Sequence, residues 1–183
     1  NPELADVTAG IYTGDTRGKN DVRVSAKTLI TSRDEIRKCP PDILLTNYKM
    51  LDQLLLRPED RQIFQKSAAT LRYLVLDEFH TYDGAQGSDV ALLLRRLGLV
   101  IKEALPEGDL TPEQQALPLG RIAPVATSAT MGSDAKRDQI TDFATLVFGT
   151  PFDADSYITD TTLGLDEWRD MLPALLTQEH LPP

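Results

Sequence analysis

Apolar residues follow two rhythms along this chain. Short, nearly unbroken apolar runs end in polar clusters, and between them apolar residues return every three or four positions. Residues 7–13 (VTAGIYT) are β-leaning, partly alternate, and end at Gly14-Asp15, a turn signal. Residues 42–46 (DILLT) and 71–76 (LRYLVL) have the pattern of strands buried on both faces, and 121–126 (RIAPVA) is a third candidate. Thr31-Ser32 can open a short helix that Pro40-Pro41 stops. Thr46 or Asn47 can cap a helix whose apolar residues are Met50, Leu51, Leu54 and Leu55, and Pro58 starts another with Ile63 and Phe64. Val90, Leu93, Leu94, Leu97, Val100 and Ile101 predict a long amphipathic helix over about 88–105, with Ser88 and Asp89 as candidate caps. Ser133 or Asp134 opens a helix through Ile140, Phe143, Ala144, Val147 and Phe148, ended by Gly149 and Pro151. Residues 15–25 and 106–120 read as loops, the second long for a compact domain, and Leu165 to Leu176 is one more strand or helix.

Strands alternating with helices predict an α/β fold, a doubly wound, mostly parallel sheet flanked by helices. In such sheets functional groups gather beyond the carboxyl ends of the strands. Here the runs end in Thr13-Gly14, Thr46-Asn47, Asp77-Glu78-Phe79-His80 and Thr127-Ser128-Ala129-Thr130. These four clusters are expected to meet along one edge.

Composition narrows the class. At 183 residues, 41% apolar and 26% charged, the chain is ordinary for one globular domain. No apolar run approaches the roughly 18 residues of a membrane helix. One cysteine, Cys39, and two histidines, His80 and His180, exclude a disulfide framework and an ordinary Cys/His zinc site. A single thiol fits a reducing, cytoplasmic compartment. Cys39 has no base nearby in sequence and reads as inert, and His180 reads as incidental. The net charge of −9 is unevenly spread: residues 1–50 hold 8 Lys/Arg against 7 Asp/Glu, 51–105 hold 7 against 8, and 106–183 hold 4 against 13. The acidity therefore argues against a histone-like binder but leaves room for a phosphate-binding face in the first 105 residues. The sequence starts Asn1-Pro2 and shows no signal-peptide pattern, so it is expected to be an internal segment of something larger.

The apolar run before Asp77-Glu78 is a Walker B arrangement. One carboxylate at a strand end holds Mg²⁺ through water, and the one beside it orients and deprotonates an attacking water. The plainer alternative is that the two acids end a strand and begin a solvated turn.

VLDEFH resembles motif II of the superfamily 2 DEAD/DEAH-box helicases, and TSAT, about 50 residues on, resembles motif III. DILLTNYKML and YTGDT resemble motifs that touch the nucleic-acid backbone in that family. DEFHTYDGAQGSDVALLLRRL is most similar to the Lhr/MrfA-like bacterial DNA helicases, and the likeness runs over about residues 7–150. The resemblance implies a partial first RecA-like domain over 1–150, with 151–183 an acidic linker or the start of the next domain. It implies ATP and Mg²⁺ as cofactors, with Asp77 on the metal and Glu78 the catalytic base. His80 would couple the γ-phosphate region to the second RecA-like domain of the parent chain. Ser128, Ala129 and Thr130 would link hydrolysis to strand movement. Thr13, Gly14, Thr46 and Asn47 would contact phosphates of single-stranded or duplex nucleic acid, with DNA favoured; a helix start suits that task. Lys49 is a weaker candidate. Arg95 and Arg96 stand equally as nucleic-acid contacts or a solvated face, and His80 has a purely structural alternative.

The phosphate loop G-x-x-x-x-G-K-[ST] does not occur in the sequence; Gly18-Lys19 has the wrong spacing and is followed by Asn20. The adenine motif, motif Ia and motifs IV to VI with their arginine finger are also missing. The chain alone is therefore expected to bind ATP poorly and hydrolyse almost none. Two other readings remain, a non-catalytic interaction module using the acidic last 78 residues and a protein-remodelling P-loop ATPase.

Overall fold

The computed structural model describes residues 6–14, 29–128 and 137–158. Within them four strands alternate with six helices: β1 (Ala9–Tyr12), α1 (Arg33–Lys38), β2 (Ile43–Thr46), α2 (Tyr48–Leu56), α3 (Pro58–Ser67), β3 (Tyr73–Leu76), α4 (Gly84–Ala104), α5 (Pro112–Ala116), β4 (Ala123–Ala126) and α6 (Arg137–Phe148). The strands run in two parallel pairs. Tyr12 at the end of β1 lies opposite Thr46 at the end of β2, and Leu76 of β3 lies opposite Ala126 of β4. Ile30 extends the first pair by bridging to Gly10 on the other edge of β1. Mixed α/β architecture with parallel strands flanked by helices is what the sequence predicted.

Capping chemistry sets the helix starts. Ser32 caps α1 by accepting from Glu35 N, and Asn47 caps α2 by accepting from Met50 N at 2.8 Å. Pro58 occupies the first turn of α3, where its missing N–H costs nothing. The long helix α4 is the spine of the helical layer and packs against α2, α3 and α6. Val90, Leu93, Leu94, Leu97, Val100 and Ile101 are all buried on it, each contributing roughly 1.5–3 kcal/mol of transfer free energy. It starts at Gly84, a turn earlier than predicted. Gly84 and Gly87 read as loop residues, but Gly87 is there for contact, since a Cβ on it would lie 2.3 Å from the Tyr82 carbonyl oxygen.

Two expectations need correction. Residues 106–120 are not all loop, because α5 forms there on a complete capping box between Thr111 and Gln114 with Pro112 at its start. The apolar strands are not buried on both faces. Leu44, Leu74, Leu76 and Ala126 pack on the core, whereas Ile43, Leu45, Tyr73, Val75 and Val125 on the alternate positions are exposed. Helices cover one face of the strands among the described residues. The predicted caps Ser133 and Asp134, and the element at Leu165 to Leu176, lie outside the described residues.

Candidate active site

The β3–β4 register brings residues 77 and 127 side by side. Thr127 N donates to Leu76 O at 3.0 Å and Phe79 N donates to Thr127 O at 2.9 Å, so the pairing continues past both strands. Asp77 is exposed, and its Oδ1 accepts from Thr127 Oγ1 at 2.6 Å and from Glu78 N at 3.0 Å. The Thr127 hydroxyl first, and the Glu78 amide second, hold the Asp77 carboxyl below the usual carboxylate range.

Glu78 has left-handed backbone, φ 51° and ψ 46°, the sole non-glycine in that region among the described residues. That conformation costs a side-chain-bearing residue roughly 1–2 kcal/mol. It turns the chain so that Phe79 plunges inward while its neighbours stay outside. Phe79 is fully buried, stacked on Phe148 with ring centroids 5.7 Å apart and lying 5.0 Å from Phe143. The Glu78 and His80 side chains retain 56% and 34% of their exposure, so both can reach a ligand at the strand ends. Phe79 thus rivets the acidic turn to α6.

His80 Nδ1 lies 2.7 Å from Ser128 Oγ and 3.5 Å from Glu78 Oε2. The two clusters that the sequence placed on separate strands are therefore one hydrogen-bonded unit. Ala129 and Thr130 lie outside the described residues.

The other two clusters also join. Thr46 Oγ1 donates to Tyr12 O at 2.8 Å, tying the end of β2 to the residue before Thr13-Gly14. Thr13 O accepts from Arg33 Nη2 at 2.9 Å, Gly14 is exposed, and the Asn47 side-chain oxygen is engaged as the α2 cap. The rings of Tyr48, next to Asn47, and Tyr82, just past His80, meet edge to face at 6.1 Å. That contact links the two halves of the strand-end edge.

The structure also places the remaining basic candidates. Arg95 donates to Ala91 O and to Val147 O and Leu146 O, closing the end of α6, and Arg96 is paired with Asp52. Lys49 lies over its neighbour Tyr48 at 5.8 Å from the ring centroid. The roles of Thr127 and Phe79 were missed. The parallel register would have revealed Thr127, and the single apolar residue inside an acidic turn would have revealed Phe79.

No group of three or more metal-ligating side chains occurs among the described residues. Both protein hydrogen bonds to Asp77 fall on Oδ1. One depressed carboxylate suits Mg²⁺, which keeps its waters and takes its remaining ligands from phosphates. The residues present therefore fit a hydrated divalent ion shared with a nucleotide.

A mixed α/β frame of parallel strands flanked by helices, with Asp-Glu-x-His at one strand end hydrogen-bonded to a serine beyond the neighbouring strand, has the architecture of a partial RecA-like domain. The family model for DEAD/DEAH box helicases matches residues 9–138, and the chain belongs to that family. It is similar to Druantia protein DruE of Escherichia coli (strain UMEA 4076-1), 36% identical over 111 residues, covering 57% of this chain and 5% of that protein. It is also similar to ATP-dependent helicase Lhr-Core of Methanothermobacter thermautotrophicus, 30% identical over 139 residues, covering 72% of this chain and 14% of that protein. The chain thus spans a small part of either relative. No solved structure matches it. Among the described residues no helix is long and apolar enough to cross a membrane.

Proposed function

We propose that this chain is the hydrolytic part of the first RecA-like domain of a DNA helicase or translocase. The parent couples Mg-ATP hydrolysis to movement on single-stranded nucleic acid. The observation that carries this reading is the bridge between the acidic turn and the segment after β4, Asp77 to Thr127 and His80 to Ser128. Residues 1–150 would form the domain part and 151–183 an acidic linker or the start of the next domain. The 183-residue chain by itself would hydrolyse almost no ATP, since the phosphate-loop lysine and the arginine finger supply much of the charge stabilisation.

Each residue then has a task. Asp77 holds the metal's water shell. When bound, Mg-ATP would supply the electrophilic γ-phosphoryl group and a divalent charge to offset that of its phosphate oxygens. Glu78 takes a proton from the attacking water onto its exposed carboxylate. His80 senses the same region and passes its position to Ser128, and through Ala129 and Thr130 to the second RecA-like domain. Thr13 and Gly14, with Thr46 and Asn47 at the start of α2, present the backbone-binding edge; contacts of that kind carry no base information.

Glu78→Gln in the full-length protein tests the assignment. It keeps the shape and removes the base, so ATP binding should persist while turnover falls by roughly 10²–10⁴-fold. Retained turnover would remove Glu78 from the role of base. Comparing ATPase rates with and without single-stranded DNA tests the rest, and absence of stimulation would favour a protein-remodelling ATPase.

A further inference from the structure

Asp60, in the first turn of α3, is a carboxylate with no exposed surface. A buried charge is costly unless it is paired and hydrogen-bonded. Its Oδ1 accepts from Tyr12 Oη at 2.7 Å and from Arg37 Nε at 2.6 Å, and Arg37 Nη2 donates to Tyr12 Oη at 3.2 Å. Its Oδ2 accepts no hydrogen bond and lies 3.7 Å from Arg57 Nη1. Replacing such a network with apolar residues of similar size is often neutral or stabilising, which directs attention to the geometry these bonds fix.

That geometry is fixed directly behind the backbone-binding edge. Tyr12 is fully buried at the end of β1, immediately before Thr13-Gly14. Its carbonyl accepts from Thr46 Oγ1 at 2.8 Å, and its ring lies 4.9 Å under the Arg33 guanidinium, which also donates to Thr13 O. From one buried carboxylate the bonds therefore reach both strand ends, through the Tyr12 side chain to its own backbone and on to Thr46.

We propose that Asp60 is a positioning residue for the nucleic-acid grip. Through Tyr12 it locks the Thr13-Gly14 turn and the Thr46-Asn47 helix start into one rigid unit. This rests on the reading of those clusters as backbone contacts. Asp60 and Tyr12 are both fully buried, so the proposed effect runs through the residues they hold in place.

The test uses the full-length protein carrying Tyr12→Phe, which deletes the hydroxyl and keeps the ring, and separately Asp60→Asn. Four quantities are read for each: ATPase without DNA, ATPase at saturating single-stranded DNA, the DNA concentration giving half-maximal stimulation, and the thermal midpoint. In Tyr12→Phe the half-stimulating concentration should rise about fivefold, the scale of one typical net hydrogen bond, with both limiting rates within about twofold of the parent. Asp60→Asn should move it at least as far, and if that variant fails to fold, Tyr12→Phe decides alone. An unchanged half-stimulating concentration would overturn the proposal. So would a parallel fall of every rate with the thermal midpoint, which is the mark of a merely structural contact. If the parent itself is not stimulated by DNA, the reading of the edge fails, and the proposal with it.

Discussion

Asp77 takes both of its hydrogen bonds on one oxygen, and the Thr127 hydroxyl is the stronger influence on its protonation. A valine at 127 would keep the β-branched shape and delete that donor. The Asp77 carboxyl would then rise back toward the ordinary range. Its folded-state pKa now lies below the unfolded one. The linked stability is thus fully present above the unfolded value and is lost as pH falls through the folded value. Asp77 is fully exposed, so solvent screens that linkage and activity is the better readout. In the full-length protein, Thr127→Val should shift the acid limb of the ATPase pH profile to higher pH. An acid limb that stays in place would show that Asp77 does not need Thr127 to remain ionised. Glu78 beside it illustrates a different balance, in which backbone strain is tolerated because burial of Phe79 on the next residue repays it.

Among the elements, α4 shows how close packing constrains sequence. A Cβ on Gly98 would lie 1.9 Å from Pro118 O and 2.9 Å from Pro118 C, both backbone atoms that cannot swing aside. Gly98→Ala should therefore destabilise the chain by about 1–3 kcal/mol despite alanine's better helix propensity, measured as a lower urea midpoint. A higher midpoint would mean that the 117–120 segment does not press on the helix. The existence of α4, like that of the four strands and of α2, was legible because apolar periodicity and caps act locally. Its first turn was not legible, since Gly84 and Gly87 carry loop signals, and only the fold shows that Gly87 is required by its close approach to the Tyr82 carbonyl while Gly84 begins the helix at positive φ. The convergence of the strand ends followed from topology rules, and Asp77, Glu78, His80 and Ser128 do come together. Asp60 left no trace in the sequence. An acid in a helix's first turn is ordinary company for the helix dipole, and only tertiary packing reveals that it is buried against Tyr12 and Arg37. Arg95 and Arg96 were ambiguous for the same reason, because their partners Val147 and Asp52 are distant in sequence.

At the scale of the whole molecule, the strand faces decide how the chain behaves in isolation. Ile43 and Leu45 of β2, Tyr73 and Val75 of β3 and Val125 of β4 retain 37% to 68% of their exposure, all at positions alternating with those packed on the helices. Such runs read in sequence as strands buried on both faces because their apolar content is nearly continuous, whereas the described helices cover one face. Exposed apolar side chains of this number on the strand faces offer an association surface. The 183-residue chain by itself should bind the dye ANS and self-associate with rising concentration, by a process that added salt strengthens or leaves unchanged. Added salt would instead weaken an electrostatic association through the uneven charge of −9. Replacing Ile43, Leu45 and Val75 together with threonine keeps strand propensity and removes apolar area. That variant should lose most of the dye signal and sediment as a monomer. A parent chain that is already monomeric and dark to the dye would mean that the face is covered within this chain's own 183 residues.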